Sequence, residues 1–240
     1  MKYTALLFGL LAFQVEAQTG LTPQLRSQFT LERLASSNGL SNSDIMYGVP
    51  IAPGQVVGNV YLDEKWNKAS LQLSQSEKPL EGFYVRYNLK ENGIEIRSGG
   101  RVKLISADKV KALVWIDSVT SLPSYFVFGG NYQYQQSKLS TLLQVLVDGS
   151  VPLLKHIRLE IKSPTYNVAT GAGSKDTKII KKVQYFSLQQ GTLIPIKNVK
   201  DIEALSGKPT EVRTYSKSKK LSAKSEHDLI EIFEYLNRQP

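Results

Sequence analysis

Cysteine is absent from all 240 residues, and histidine, methionine and tryptophan occur only twice each. Without thiols there are no disulfides, no thiolate metal sites and no cysteine nucleophile. The residue through which a bacterial lipoprotein is tethered at its processed amino end is missing as well. His156 and His227 have no partner at metal-ligand spacing, so a zinc centre or a Ser-His-Asp triad lacks its central residue. Both read as ordinary surface histidines. Acidic residues are outnumbered by basic ones, 21 against 30, which leaves a formal charge of +9.

Long apolar runs are also missing, with one exception. Lys2 precedes an apolar stretch from Ala5 to Phe13, and Gln14-Val15-Glu16-Ala17 then gives way to the polar Gln18-Thr19-Gly20. A basic tip, a short apolar core and a small residue at the cut are the three parts of a secretory signal peptide. Roughly 18 apolar residues would be needed to span a bilayer, so this segment is too short to be a membrane anchor. Residues 1–17 are therefore expected to be removed between Ala17 and Gln18. The remainder is expected to be exported and soluble, in the periplasm or outside the cell, and not a lipoprotein. No Asn-x-Ser/Thr site occurs, which agrees with a bacterial source.

At 41% hydrophobic and 21% charged, the remainder lies in the ordinary globular range and is long enough to bury about 70% of its unfolded surface. Residues 18–54 are rich in Ser, Asn, Gly and Pro and read as a loosely ordered arm, extended at Val49-Pro50-Ile51-Ala52-Pro53. From 55 to 198 the pattern is strand after strand, over 57–62, 69–73, 83–89, 93–97, 102–105, 112–117, 125–128, 142–147, 153–161, 183–188 and 193–196. Most connections are too short for parallel crossovers, and Asn92-Gly93 signals a tight primed turn. The expected fold is mainly β: an antiparallel, curved meander sheet, part barrel or part sandwich, with a small α-helical carboxyl-terminal segment. The apolar strands at 113–116 and 142–147 should be covered on both faces, the second by those helices. Val199, Ile202 and Leu205 mark a helix that Gly207 and Pro209 should stop. Ser225 can cap a last helix whose buried stripe is Leu229, Ile232, Phe233 and Leu236.

Motifs that carry chemistry are few. Ser106-Ala107-Asp108-Lys109 has the serine-to-lysine spacing of penicillin-recognising enzymes, but the companion K-T-G and S-D-N patterns are missing and the tetrapeptide bridges two strands. Gly171-Ala172-Gly173 begins like a dinucleotide fingerprint and lacks its third glycine and helix. Asp63 with Glu64, and Glu231 with Glu234, are the acidic pairs a carboxylate-dependent hydrolase could use, provided a cleft sets them roughly 5 to 9.5 Å apart.

Two candidate binding surfaces stand out. Tyr132 and Tyr134 alternate with amides in Asn131-Tyr132-Gln133-Tyr134-Gln135-Gln136, a composition suited to stacking on a carbohydrate or peptide. Lys217, Lys219, Lys220 and Lys224 fall in a stretch with no acid between Thr214 and Ser225, a patch suited to anionic lipid or acidic polysaccharide. Without interleaved aromatics it does not suit nucleic acid.

The blocks from Trp66 to Leu73, Val85-Arg86-Tyr87-Asn88, Val114-Trp115-Ile116-Asp117-Ser118, Val145-Leu146-Val147-Asp148-Gly149 with Pro152-Leu153-Leu154-Lys155, and the closing Ile232-Phe233-Glu234-Tyr235-Leu236-Asn237 resemble an uncharacterised exported family frequent in Bacteroidota. The resemblance implies an envelope or secreted location in a Gram-negative bacterium and carries no activity, cofactor or catalytic residue. The expected role is a non-enzymatic binding or structural module of the envelope that meets an envelope protein, an anionic lipid or a polysaccharide and uses no cofactor. A lipid or small-molecule carrier enclosing a cavity within the curved sheet and a carboxylate-dependent hydrolase are the alternatives.

Overall fold

A computed structural model describes residues 54–167 and 170–238. The expected signal peptide and all but the last residue of the expected arm lie outside the described residues. Gly54–Thr165 and the described part of Ser174–Pro240 form one compact unit. Within Tyr166–Gly173, which belongs to a second unit, Asn167 N–H donates to the Ala172 carbonyl.

The described chain is mainly β, with eleven strands in one sheet followed by three helices. β2 (Asn67–Leu73), β3 (Leu80–Asn88), β4 (Gly93–Ser98) and β5 (Arg101–Ser106) form an antiparallel meander. β6 (Val110–Ile116) returns to pair with β2, and β7 (Pro123–Phe128), β8 (Leu142–Val147), β9 (Leu153–Lys162) and β10 (Thr177–Gln189) continue antiparallel from there. β11 (Thr192–Ile196) pairs with the second half of β10 and β1 (Val56–Val57) lies parallel to its first residues.

β1 makes the sheet mixed, where antiparallel pairing throughout was expected. The strand expected over 57–62 shrinks to two residues because Gly58, at φ +95°, turns the chain aside, and it rejoins only through a single bridge between Tyr61 and Asn88. In the β3–β4 turn Asn92 alone is left-handed, at φ +48°, and Gly93 already pairs with Asn88. The turn is thus a four-residue loop and not the tight primed turn its Asn-Gly suggested.

The sheet curls without closing into a barrel. β5 and β6 lie four places apart in the order β5-β4-β3-β2-β6, about 19 Å if the strands lay flat at about 4.8 Å spacing. Three residues, Ala107–Lys109, join them in a single 3-10 turn, which advances about 2 Å per residue. Only a curled sheet lets so short a link reach. Tyr87 fastens the inside of the curl: its hydroxyl lies 2.6 Å from Asn92 Oδ1 and 2.8 Å from Thr141 Oγ1, and accepts the Leu142 N–H at 3.3 Å.

One row of directly opposed residues defines the inner face: Leu71, Leu113, Phe126, Gln144, Lys155, Tyr185 and Ile196. At one end this face holds a core of Leu71, Val85, Tyr87, Ile94, Leu113, Trp115 and Phe126. At the other end the helices close over it. α1 (Val199–Ser206), α2 (Pro209–Lys219) and α3 (Glu226–Arg238) contribute Ile202, Val212, Leu229, Ile232 and Phe233, all fully buried with Val147, Leu153 and Ile196. Each such side chain contributes about 1.5–3 kcal/mol of burial. On the outer face, the β7–β8 connection lays Tyr132, Tyr134 and Leu139 on a third cluster of Leu143, Leu154, Phe186 and Leu193.

β8 is covered on both faces, as its apolar run implied, and β6 is not. Ile116 is 41% exposed because the helices pack on the inner face, not on the second face as expected, and the β7–β8 connection that covers the outer face lies over β8 to β11 and leaves the outer side of β6 open.

Candidate functional site

A groove of about 720 Å³ runs between α1 and α2, lined by Val199, Lys200, Glu203, Arg213, Ser216, Lys217, Lys220 and Leu221. Its walls follow from local sequence. Asn198 caps α1 by accepting the Lys200 N–H at 2.9 Å while Asp201 accepts the Asn198 N–H at 2.9 Å, the two halves of a capping box. Gly207, left-handed at φ +65°, ends the helix. Pro209 then starts α2 at its first position, where the missing N–H costs nothing. Gly207 stops α1 as expected, but Pro209 opens a second helix.

Ile202 and Val212, with no exposed surface, seat the two helices on the sheet. Arg213, Lys217 and Lys220 follow one another at helical spacing, four and then three residues apart, so they share one side of α2. Glu203 is the only carboxylate in the lining. Arg213 grips it with two prongs, Nε to Oε1 at 3.1 Å and Nη2 to Oε2 at 2.7 Å. That paired hydrogen bond holds the Glu203 carboxyl below the usual carboxylate range against the opposing effect of desolvation, and Lys200 and Lys217 reinforce it. The same pairing raises Arg213. The lining thus carries four cations against one neutralised carboxylate.

Beneath the cations, Ser216 is 4% exposed and its Oγ makes no hydrogen bond. A buried hydroxyl normally has a partner, so this one has donor and acceptor capacity left over. The carbonyls at the end of α2 do not compete for a ligand's place, because Lys220 N–H donates to Lys217 and Leu221 N–H donates to Ser216.

The four lysines singled out in the sequence do not act as one patch. Lys217 and Lys220 line the groove. Lys219 points toward α3, its Nζ 4.0 Å from Glu231, and Lys224 lies exposed in the loop before α3. Lys217 and Lys219 occupy the last turn of α2 and Lys220 is its left-handed cap. Tyr132 and Tyr134 are half-buried. Tyr134 meets Phe186 edge-on at 5.1 Å, and its hydroxyl accepts a bond from Gln184 at 3.4 Å. Sequence reading missed Lys200, Glu203, Arg213 and Ser216, and the Arg213, Lys217, Lys220 spacing would have exposed three groove residues had α2 been read as a helix.

His156 is buried, with 8% exposure, against Phe186, which corrects its reading as a surface residue. Desolvation, with Arg158 assisting, lowers its pKa. His227 is exposed. Ser106 precedes the 3-10 link between β5 and β6, and Lys109 is its last residue. Asp63 accepts bonds from Asn67 and from the Lys65 N–H, and Glu64 from Asn59. Glu231 accepts from Tyr215 and Glu234 from Arg238. The inner face of the curl is packed, and the void beside Tyr87, Phe126 and Leu142 measures about 10 Å³. No three of His, Asp and Glu gather as metal ligands among the described residues, and no described helix is long and apolar enough to cross a membrane.

These features define a class, a curled β-sheet protein with a helical cover and a basic groove in that cover. No family model matches the chain, and neither a curated protein nor a solved structure matches it.

Proposed function

We propose that this chain is an exported, non-enzymatic binding module of a bacterial cell envelope, and that its α1–α2 groove takes hold of an anionic group, a phosphate or carboxylate borne by envelope lipid or polysaccharide. The observation that carries the reading is the lining itself: Lys200, Arg213, Lys217 and Lys220 around one carboxylate already matched by Arg213. Cations on a concave surface raise the local concentration of anions. The signal-like segment at 1–17 and the resemblance to exported proteins support the location.

The test is calorimetric titration of the secreted chain with inorganic phosphate and with an acidic polysaccharide, beside the Lys217→Glu/Lys220→Glu variant. Binding that falls at least tenfold in the variant, and weakens as salt rises, is expected. Binding indifferent to both would sink the reading. Intact mass of the secreted chain should begin at Gln18.

A further inference from the structure

A second surface lies away from the groove, on the outer face of β2 to β7. Register places six residues in one line across six strands: Val102 opposite Arg97, Arg97 opposite Tyr84, Tyr84 opposite Lys68, Lys68 opposite Ile116, and Ile116 opposite Pro123. All six are exposed, and none is acidic. Followed around the curled sheet at about 4.8 Å per strand, the line covers about 24 Å. It alternates apolar and cationic side chains with a tyrosine near its middle.

The β6–β7 turn extends this line into a tip. Val119 and Leu122 are each 65% exposed there, more than any other large hydrophobic among the described residues except Val56. The tip is held in shape: Asp117 Oδ1 accepts the Val119 N–H at 2.8 Å and the Thr120 N–H at 2.7 Å, and Ser118 N–H donates to the buried Asn67 at 2.9 Å. Asn67 places Lys65 and Trp66 beside the turn. Trp66 is clasped by two guanidinium groups, Arg97 at 4.3 Å and Arg86 at 4.6 Å from its ring centre. The carboxylates around this face are engaged or peripheral. Glu95 pairs with Arg86 at 2.7 Å, Asp63 and Asp117 serve their own turns, and Glu81 stands one row away opposite Ser70.

We infer that this face, with Val119 and Leu122 at its leading tip, docks on the interface of an anionic lipid bilayer. Aliphatic side chains held out at a hairpin tip have no ring to stack on a sugar, and they gain by leaving water for the boundary between headgroups and acyl chains. Tryptophan and tyrosine rings are at home at that depth. Lys65, Lys68 and Arg97 beside them would meet lipid phosphates. Charge complementarity and exposed aliphatics together favour a membrane over an acidic polysaccharide, which would answer to the cations alone. This surface shares no residue with the groove and goes beyond the function proposed for it.

The test is sedimentation of the secreted chain with vesicles of phosphatidylcholine alone and with 30% phosphatidylglycerol, followed also by the emission of Trp66, since Trp115 is buried. Binding to the anionic vesicles with a blue shift is expected. It should weaken at least tenfold in Val119→Asp/Leu122→Asp and in Lys65→Glu/Lys68→Glu. Because Val119, Leu122 and both lysines are exposed, unchanged melting temperatures would certify the variants as folded. No binding to anionic vesicles overturns the inference, as does binding lost only with the groove variant or binding unchanged by the tip variant. Tip-dependent binding to an acidic polysaccharide without vesicle binding overturns the bilayer as occupant.

Discussion

Asn237 holds Val151 by both of its backbone groups: Asn237 Oδ1 accepts the Val151 N–H at 2.9 Å and Nδ2 donates to the Val151 carbonyl at 2.8 Å. The pair ties the last turn of α3 to the β8–β9 hairpin across 86 residues. Gly149 lies beneath at φ +147°, where a Cβ would come within 2.3 Å of Asn237 Oδ1. Asn237→Ala should therefore cost about 1–3 kcal/mol, read as a lowered midpoint in denaturant. Gly149→Ala should destabilise too, and the double variant less than the sum, because the second change removes the atom the first one strikes. Additive costs would show that the two sites are independent.

Tyr87 is the corresponding fastener inside the curl. Tyr87→Phe keeps the ring and deletes the hydroxyl, leaving Leu142 N–H without that acceptor and Thr141 and Asn92 without their partner. A loss of about 1–3 kcal/mol is expected, with faster amide exchange around 140–142 as the local signature. A variant as stable as the parent would mean that water replaces the hydroxyl.

Glu226, in the first turn of α3, accepts the Tyr185 hydroxyl at 2.8 Å and pairs with Lys155 at 2.7 Å. Burial, then the hydrogen bond and charge of Glu226, raise Tyr185 well above the ordinary tyrosine range. A phenol whose pKa is raised by folding stabilises the protein fully below about pH 10, and that stability drains away as pH climbs above it. Thermal melts should accordingly drop on the alkaline side of pH 10. Tyr185→Phe should flatten that limb; an unchanged slope would assign it to other groups.

Within the groove, Glu203→Gln removes the one carboxylate facing the cations and releases Arg213. Affinity for inorganic phosphate should rise about threefold, the effect of one charge at about 7 Å in water-like dielectric. A fall would mean that Glu203 positions Arg213 for the ligand.

Ser216→Ala tests the buried hydroxyl. Since Ser216 Oγ has no partner in the fold and lies out of reach of the groove, its removal should leave stability unchanged or raise it by about 1 kcal/mol and leave phosphate affinity unchanged. Destabilisation would show that the hydroxyl is satisfied within the protein.

Most strands were readable because each carries its own period and its own turn chemistry. In Phe83-Tyr84-Val85-Arg86-Tyr87, Val85 and Tyr87 are buried while Tyr84 is exposed, as the alternation requires. β8 spans 142–147 as its apolar run implied. The first six residues of β10, Thr177 to Lys182, escaped notice because three are lysines and none is fully buried; that strand segment exists by pairing with β9 and not by its own pattern. α2 escaped for the same reason. Val212 and Ser216 are its only buried residues, too few to draw a helical stripe, and a proline that can stop one helix can equally begin the next.

Composition and short-range pattern thus decided the material of the fold: strands, turns, the apolar stripe of α3, the absence of thiols and the surplus of positive charge. Each of these is a property of neighbours along the chain. The parallel β1, the groove and the outer line from Val102 to Pro123 were decided by tertiary structure alone. They depend on which strand edge meets which, and on side chains that approach only after loops have closed. Lys217 and Lys219 stand two residues apart in the same lysine cluster, yet one lines the groove and the other faces Glu231, because a helix turns each successive side chain by about 100° and so sets these two about 200° apart, and only the packing of α2 on Ile202 and α3 says which side is which.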